Sequence, residues 1–403
     1  MRAVIACFAA VLLVTLAPAG VAQTFGEDVS FLKKHCDPVI LEGPDGQTQV
    51  AVVPLYQGRV MTSTARGADG MSFGWMNRGL ISSGERAPHM NAFGGEDRFW
   101  LGPEGGQYSL YFDPGVPFDL EHWQVPEPID WGAWEVQARQ SDSVSFRERM
   151  RLVNYAGAEF DIAVRRQVSL LDSAEARQLL DVKPGEGVEM VAFRSRNTIE
   201  NAGNRAWRKQ SGLVSIWVLG QFKASPDTTV VIPYKARSGT DAEQVVNDAY
   251  FGEIADDRLK VEDGLVFFKA DAESRGKIGI PPRYAKPVLG SYDAANGVLT
   301  IVHYTLSDKT LDYVNSLWKM QERPYRGDAV NSYNDGPTAD GSQMGNFYEL
   351  ESSSPAAELE PGGTLTHVHR TFHLTGPKEE LNRCWAWGWT ASHPPCRESP
   401  RKG

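Results

Sequence analysis

FDIAVRRQVSL, residues 160–170, alternates apolar and polar side chains with a period of two. Phe160, Ile162, Val164, Val168 and Leu170 fall on one face, and Arg166 interrupts it. Successive side chains of a strand point to opposite faces, so this period predicts a half-buried β-strand. The same alternation, more weakly, predicts strands at Gln49–Leu55, Arg59–Thr64, Gln107–Phe112, Ser143–Leu152, Val188–Arg194, Leu213–Phe222, Thr229–Tyr234, Leu265–Lys269, Phe347–Ser352 and Thr364–Leu374. Asp263-Gly264 and Asn296-Gly297 each sit between two such runs and mark hairpin turns. Helical periodicity is scarce, with short candidates at Glu27–His35, Ala242–Ala249, Leu311–Met320 and Lys378–Arg383. The expected class is all-β, with one large antiparallel sandwich.

Turn signals recur over the whole chain, and no polar linker divides it. Asn331–Ser342, with Gly336-Pro337 inside it, reads as a loop near a site rather than a hinge. A single domain is expected over residues 23–375. Residues 376–403, with CWAWGWTASHPPC, read as a docked extension that a disulfide can staple. Before the domain, Arg2 and the apolar run Ala3–Leu16 lead to Pro18 and the small residues Gly20-Val21-Ala22. This pattern predicts a signal peptide over residues 1–22, and hence a periplasmic or secreted protein with no membrane span after cleavage. Cys36, Cys384 and Cys396 then remain. Cys384 and Cys396 can close a short loop in an oxidising compartment, or Cys36 can pair with either.

Composition excludes several functions. The 403 residues carry a net charge of −10, so no uniformly basic surface offers itself to nucleic acid. Glycine-rich nucleotide fingerprints and HExxH are absent from the sequence, and no cofactor is expected.

Chemistry concentrates in three places. GGEDRFWLGPEGG, residues 94–106, sets Glu96, Asp97, Arg98, Trp100 and Glu104 between glycine pairs, with His89 and Asn91 just before. Carboxylates and Arg can hydrogen-bond several hydroxyls, and an indole face can stack on a sugar ring, so the segment is read as lining a carbohydrate site. The competing reading is an ion-paired loop with Trp100 in the core. Next, Glu349 and Glu351 share one face if Phe347–Ser352 is a strand. Buried together, one of them would have its pKa raised and serve as an acid or base; at a solvent edge they would be inert. Last, His367, His369 and His373 share a strand face. No further ligand motif is local, so a hydrogen-bonded face is preferred and no metal is expected. Single candidates are Arg59 at a strand start, Trp217, His303 in an apolar strand, and the alternating Arg275 and Lys277.

Gly58-Arg59-Val60 on an early strand, the glycine-rich polar segment, the Glu349/Glu351 strand and the turn Leu359-Glu360-Pro361-Gly362-Gly363 together resemble the galactose mutarotase-like (aldose 1-epimerase) superfamily. GGEDRFWLGPEGG looks like the signature of a bacterial branch of it. The resemblance implies an antiparallel β-supersandwich whose concave face binds a mono- or oligosaccharide. It further implies a Glu as general base, with Glu351 the first choice and Glu349 the second, and a His as acid, for which His303 is the nearest match. Arg59 and Arg98 would bind substrate. The sequence departs from the pattern where Gly363 replaces the acid of the turn and where His303-Tyr304 lacks the following Asn. The expectation is therefore an exported carbohydrate-active enzyme that transfers protons on a sugar, epimerase-like or lyase-like. In a lyase, Arg275 and Lys277 would neutralise a uronic carboxylate. The alternatives are a non-catalytic carbohydrate-binding protein and an envelope accessory protein.

Overall fold

A computed structural model of the chain describes residues 23–181, 185–236, 245–338 and 340–390, with side chains through residue 384. The expected signal peptide, Cys396 and residues 242–244 of one expected helix lie outside the described residues. The strands are β1 (Val39–Glu42), β2 (Gln49–Val53), β3 (Arg59–Thr64), β4 (Arg98–Gly102), β5 (Glu135–Arg139), β6 (Ser143–Val153), β7 (Glu159–Leu170), β8 (Glu189–Asn201) and β9 (Ser215–Lys223). They continue as β10 (Thr228–Pro233), β11 (Leu259–Glu262), β12 (Leu265–Lys269), β13 (Gly276–Ile280), β14 (Val288–Asp293), β15 (Val298–Tyr304), β16 (Val330–Asn334), β17 (Phe347–Ser353) and β18 (Thr364–Thr375).

Ten of these strands form one sheet in the order β11-β12-β10-β14-β15-β18-β8-β7-β6-β5. Five form a second sheet, β13-β16-β17-β9-β4, and β1-β2-β3 form a third. Every named strand pairing is antiparallel. The protein is an antiparallel sandwich, as the alternation predicts. Both expected hairpins form, β11–β12 and β14–β15. Helix α1 (Phe25–His35) begins with a capping box in which Thr24 and Glu27 satisfy each other's backbone N–H groups. Among the described residues, Cys36 and Cys384 are not bonded to each other. Among the described residues, no helix is long and apolar enough to cross a membrane.

Several sequence expectations differ from the structure. Residues 246–249 of the expected helix 242–249 are not helical, and Asn247 N–H instead donates to Gly279 O (2.8 Å); Asn331–Asn334 of the expected loop belong to β16. Gln107–Phe112 is a series of turns, closed by Ser109 N–H to Gly106 O (2.9 Å) and Leu110 N–H to Pro103 O (3.0 Å). Leu311–Met320 is not helical. Its backbone bonds go sideways to residues 324–327, as in Asn315 N–H to Pro324 O (2.9 Å) and Gly327 N–H to Tyr313 O (2.9 Å). A helix would need those groups for itself.

The five-stranded sheet packs its inner face on the ten-stranded sheet. Phe99, Leu101 and Val218 meet Val144, Ile162, Val164 and Phe193 in one buried cluster. Between these apolar contacts runs a buried polar layer. Arg166, the interruption on β7, is fully enclosed there. Its Nη2 lies 2.7 Å from Asp97 Oδ1, Nη1 donates to Asn197 Oδ1 (2.6 Å), and Nε donates to Gly58 O (3.0 Å). The histidines of β18 belong to the same layer. Ser352 Oγ lies 2.8 Å from both His367 Nε2 and His369 Nδ1. His373 contacts Glu96 Oε2 (2.9 Å) and Thr300 Oγ1 (2.9 Å). Burial lowers the His367 pKa to about 3 and that of His369 to about 4, so these rings are neutral hydrogen-bonding groups.

A buried ion pair is costly to break from one side, because the remaining charge keeps its desolvation penalty. Asp97→Ala is expected to destabilise the protein by about 3–5 kcal/mol in urea titration, through stranding Arg166. Asp97→Ala combined with Arg166→Met should cost less than the sum of the two single changes.

Candidate functional site

The outer face of the five-stranded sheet carries the cleft. Its antiparallel register sets side chains in rows. Gln221 pairs with Glu349, Glu349 with Tyr333, and Tyr333 with Lys277. In the next row, Arg98 pairs with Leu219, Leu219 with Glu351, and Glu351 with Asn331. Trp100 pairs with Trp217 in the third. The period of two brings all of these to one face.

β4 reaches its place through two glycines with left-handed backbone. Gly94 has φ 94° and Gly95 has φ 106°. A Cβ on Gly94 would stand 2.2 Å from Trp75 O, and one on Gly95 would stand 2.7 Å from Val60 O. Only glycine tolerates both the conformation and the approach.

Loops complete a cleft of about 410 Å³, within the usual range for small-ligand sites. Trp123 and Trp318 line it, with ring centroids 5.8 Å apart. Trp100 and Trp217 lie edge to face at 5.4 Å. Phe251, Leu120 and Met344 line it too, although each is an exposed large apolar side chain.

The charged groups are interleaved. Arg98 Nη2 lies 3.2 Å from Glu349 Oε1, and its guanidinium stacks 4.0 Å from the Trp100 ring. Gln221 Nε2 also donates to Glu349 Oε1, at 2.9 Å. Lys277 Nζ sits 3.0 Å from each oxygen of Glu351 and 4.6 Å from the Trp217 ring. Trp217 Nε1 donates to Glu351 Oε2 at 2.8 Å. Arg275 stacks 4.2 Å from Phe251, and its Nε donates to Tyr333 Oη at 3.1 Å. Arg98 Nε, Trp100 Nε1 and Gln221 Oε1 are buried yet find no hydrogen-bond partner among the described residues. Unmatched buried polar atoms are rare, and these three belong to residues that line one cleft.

Burial raises the Glu349 pKa to about 8; Arg98 opposes the shift and Glu351 adds to it. Burial also raises that of Glu104, against the pull of Lys277. Lys277 loses by its own burial, but Glu351, Glu104 and Glu349 outweigh that and raise its pKa. Behind Lys277, burial raises Asp328 to about 6, while Tyr250 donates a 2.6 Å hydrogen bond to it. A carboxyl held protonated near neutral pH beside fixed cations, as Glu349 is, can give and take a proton.

Residues 23–387 match a family of unknown function, DUF6786. The chain belongs to the DUF6786 family. No curated protein matches it. Among solved structures, the Slr1438 protein from Synechocystis sp. PCC 6803 aligns at TM-score 0.52 and 14% identity, over 85% of this chain and 96% of its own. A proposed aldose 1-epimerase from Escherichia coli K12 aligns at TM-score 0.50 and 12% identity, over 85% of this chain and 99% of its own. A galactose mutarotase related enzyme from Lactobacillus acidophilus aligns more loosely, at TM-score 0.44 and 10% identity, over 85% and 98%. At such identities the likeness shows the fold, and on the first two structures the fold of this DUF6786 protein is galactose mutarotase-like.

In this DUF6786 chain, the sequence-derived candidates His89, Arg98, Trp100, Glu104, Trp217, Arg275, Lys277 and Glu349 all line the cleft. Glu351 lies directly beneath it, fully buried under Lys277 and Trp217. Four candidates lie elsewhere. Arg59 is buried and donates to Gly94 O (3.0 Å) and Gln57 Oε1 (3.1 Å). Glu96 bonds Ser63 and His373, and Asp97 bonds Arg166, in the polar layer between the sheets. His303 sits on β15 in the ten-stranded sheet beside Arg370, and burial lowers its pKa to about 4.

Cleft residues that the sequence reading passed over include Gln221, Tyr333, Asp335, Trp123 and Trp318. Gln221 stands two and four residues from Leu219 and Trp217, so following the Trp217 face along its strand would have found it. Tyr333, Asp335, Gly336, Thr338 and Ser342 fall in the segment read as a loop near a site. Nothing local marks the two tryptophans.

The raised Glu349 pKa has a thermodynamic consequence. The folded protein keeps a proton that the unfolded chain releases between about pH 4.5 and 8. Stability contributed by this group is full below that window and is lost as pH rises through it. Glu349→Gln should remove this loss, so its urea midpoint should gain on the wild type as pH rises across the window.

Proposed function

We propose that the cleft binds a carbohydrate and that the protein transfers protons on it, with Glu349 as the group that carries the proton. The observation behind this reading is Glu349 itself: a cleft carboxyl that holds its proton near neutrality, between Arg98 and the Lys277–Glu351 pair. The tryptophans support a sugar, because their faces can stack on the apolar face of a pyranose while the charged rows bond its hydroxyls. The galactose mutarotase-like fold of the neighbouring structures agrees with it.

The chemistry follows from the arrangement. The Glu349 carboxyl gives its proton to the sugar ring oxygen as the C1–O bond of the ring breaks. A carboxylate takes the proton of the anomeric hydroxyl, leaving the open-chain aldehyde; Glu104, beside Lys277, is the candidate for that role. Rotation about C1–C2 and reversal of both transfers give the other anomer. Glu351 holds Lys277 and Trp217 in place beneath the reacting carboxyls. The leader-like residues 1–22 support a periplasmic or secreted site of action.

The aromatic walls would equally serve a binding protein without chemistry, and one variant separates the two readings. Screening mono- and oligosaccharides by intrinsic tryptophan fluorescence should find a ligand, and NMR of that ligand should show its conversion. Glu349→Gln is expected to lower kcat by about 10²–10⁴-fold while KM changes far less. Undiminished turnover in that variant would remove Glu349 from the mechanism. Binding without conversion by the wild type would establish the binding protein.

A further inference from the structure

Three cations line the cleft, and two of them already touch a carboxyl group. Arg98 is paired to Glu349, and Lys277 to Glu351. Arg275 is different. Among the described residues, no carboxylate lies within ion-pair distance of it. The carboxylate nearest in its hydrogen-bond chain, Asp335, is reached only through Tyr333, whose hydroxyl donates to Asp335 Oδ1 at 2.7 Å. The other Asp335 oxygen accepts from Gly345 N–H at 2.8 Å, so this group is occupied.

The guanidinium is nonetheless held firmly. Phe251 stacks on it at 4.2 Å, the Tyr333 ring lies 6.0 Å away, and Nε is anchored to the Tyr333 hydroxyl. Nη1 and Nη2 have no partner among the hydrogen bonds of the described residues, and the side chain lines the cleft. A stacked, oriented guanidinium with two free NH2 groups is the geometry that receives a planar carboxylate by two parallel bonds. A neutral sugar would leave this cation without a carboxyl partner in a cleft where the other two cations each touch one.

We propose that the cleft takes an acidic sugar, a uronate, whose carboxylate is bound by Arg275. This rests on the carbohydrate reading above and narrows it to a substrate class. Arg275 is then a specificity residue that sets the orientation of the ring, with the acid group toward β13 and the remaining ring atoms toward Glu349. Lys277, two residues along the same strand, stays with Glu351 and does not compete for the anion.

The test uses the full mature chain and its own cleft tryptophans as reporter. Galacturonate, glucuronate and their disaccharides are titrated beside galactose, glucose and the matching neutral disaccharides. A sulfated hexose is included to separate carboxylate from sulfate as the source of the anion. At least one uronate should bind about tenfold or more tightly than its neutral counterpart, with the preference shrinking as NaCl rises. In Arg275→Gln the uronate-to-neutral ratio should fall close to one, and Arg275→Lys should restore part of it. Circular dichroism and a thermal scan of both variants establish that they fold.

Neutral sugars binding as tightly as uronates to the wild type would overturn the proposal while leaving the carbohydrate reading standing. So would a ratio unchanged by Arg275→Gln. A preference for the sulfated sugar over both would reassign the anion and reject the uronate. Failure of every sugar, acidic and neutral, would overturn both readings together.

Discussion

The contact between Asp97 and Arg166 governs the geometry of everything on the outer face. Both side chains are fully buried, and the carboxylate of one meets the guanidinium of the other at 2.7 Å between the two sheets. Asp97 immediately precedes β4, so it fixes the phase of that strand. With Asp97 turned inward, Phe99 and Leu101 follow it into the core. Arg98 and Trp100 are thereby sent to the cleft. Slipping β4 by one residue would reverse every one of these assignments, putting a carboxylate in the cleft and a second guanidinium in the interior. Neither is tolerable beside the fixed charge of Arg166. The pair acts less as a source of net stability than as a constraint on register, since the desolvation of two ions offsets much of their attraction.

The cleft has its own electrostatic problem, and it is solved unequally. Glu349 and Glu351 lie two residues apart on one strand face, where two negative charges repel. Glu351 takes the lower position, where Lys277 and the Trp217 N–H satisfy it. Glu349 takes the upper one, where Arg98 and Gln221 both act on the same oxygen and burial holds the proton on the carboxyl. Two residues of the same type thus acquire different protonation behaviour from position alone. The like-charge pair that would be a fault in a structural sheet becomes the origin of a titratable group at neutral pH.

Legibility in the sequence followed the length and regularity of the burial pattern. β7, β8 and β18 are long, are partly buried and sit inside a sheet, so their alternation survives in the chain and their existence was readable. Arg166 was visible as an anomaly on an apolar face, and its partner was not, because Asp97 lies 69 positions away. β4 was hidden for a different reason. Its five residues, RFWLG, stand between glycines, and a short strand beside such residues reads as a loop. Arg98, Trp100 and Glu104 were found despite that, because their side-chain chemistry is conspicuous wherever the backbone goes. Glu96 and Asp97 were conspicuous for the same reason and sit in the interior. Residue type alone does not distinguish a ligand-binding carboxylate from one buried as a structural partner. Leu311–Met320 failed as a helix because its backbone groups pair with residues 324–327, a long-range choice that no local propensity encodes.

β17 shows how one strand serves two purposes. Its inward residues, Tyr348, Leu350 and Ser352, enter the core or meet the histidines of β18. Its outward residues, Glu349 and Glu351, meet the cations of the cleft. The two sets are separated only by the thickness of a backbone, yet each meets its own partners. Inward changes therefore act on stability, through cavities or stranded histidines, and outward changes act on protonation and binding. The coupling between the faces runs through the register of the strands, which the interior polar contacts hold in place. A cleft that depends on the relative position of carboxyls and guanidinium groups a few ångströms apart needs a floor that cannot slide, and the buried polar layer supplies it.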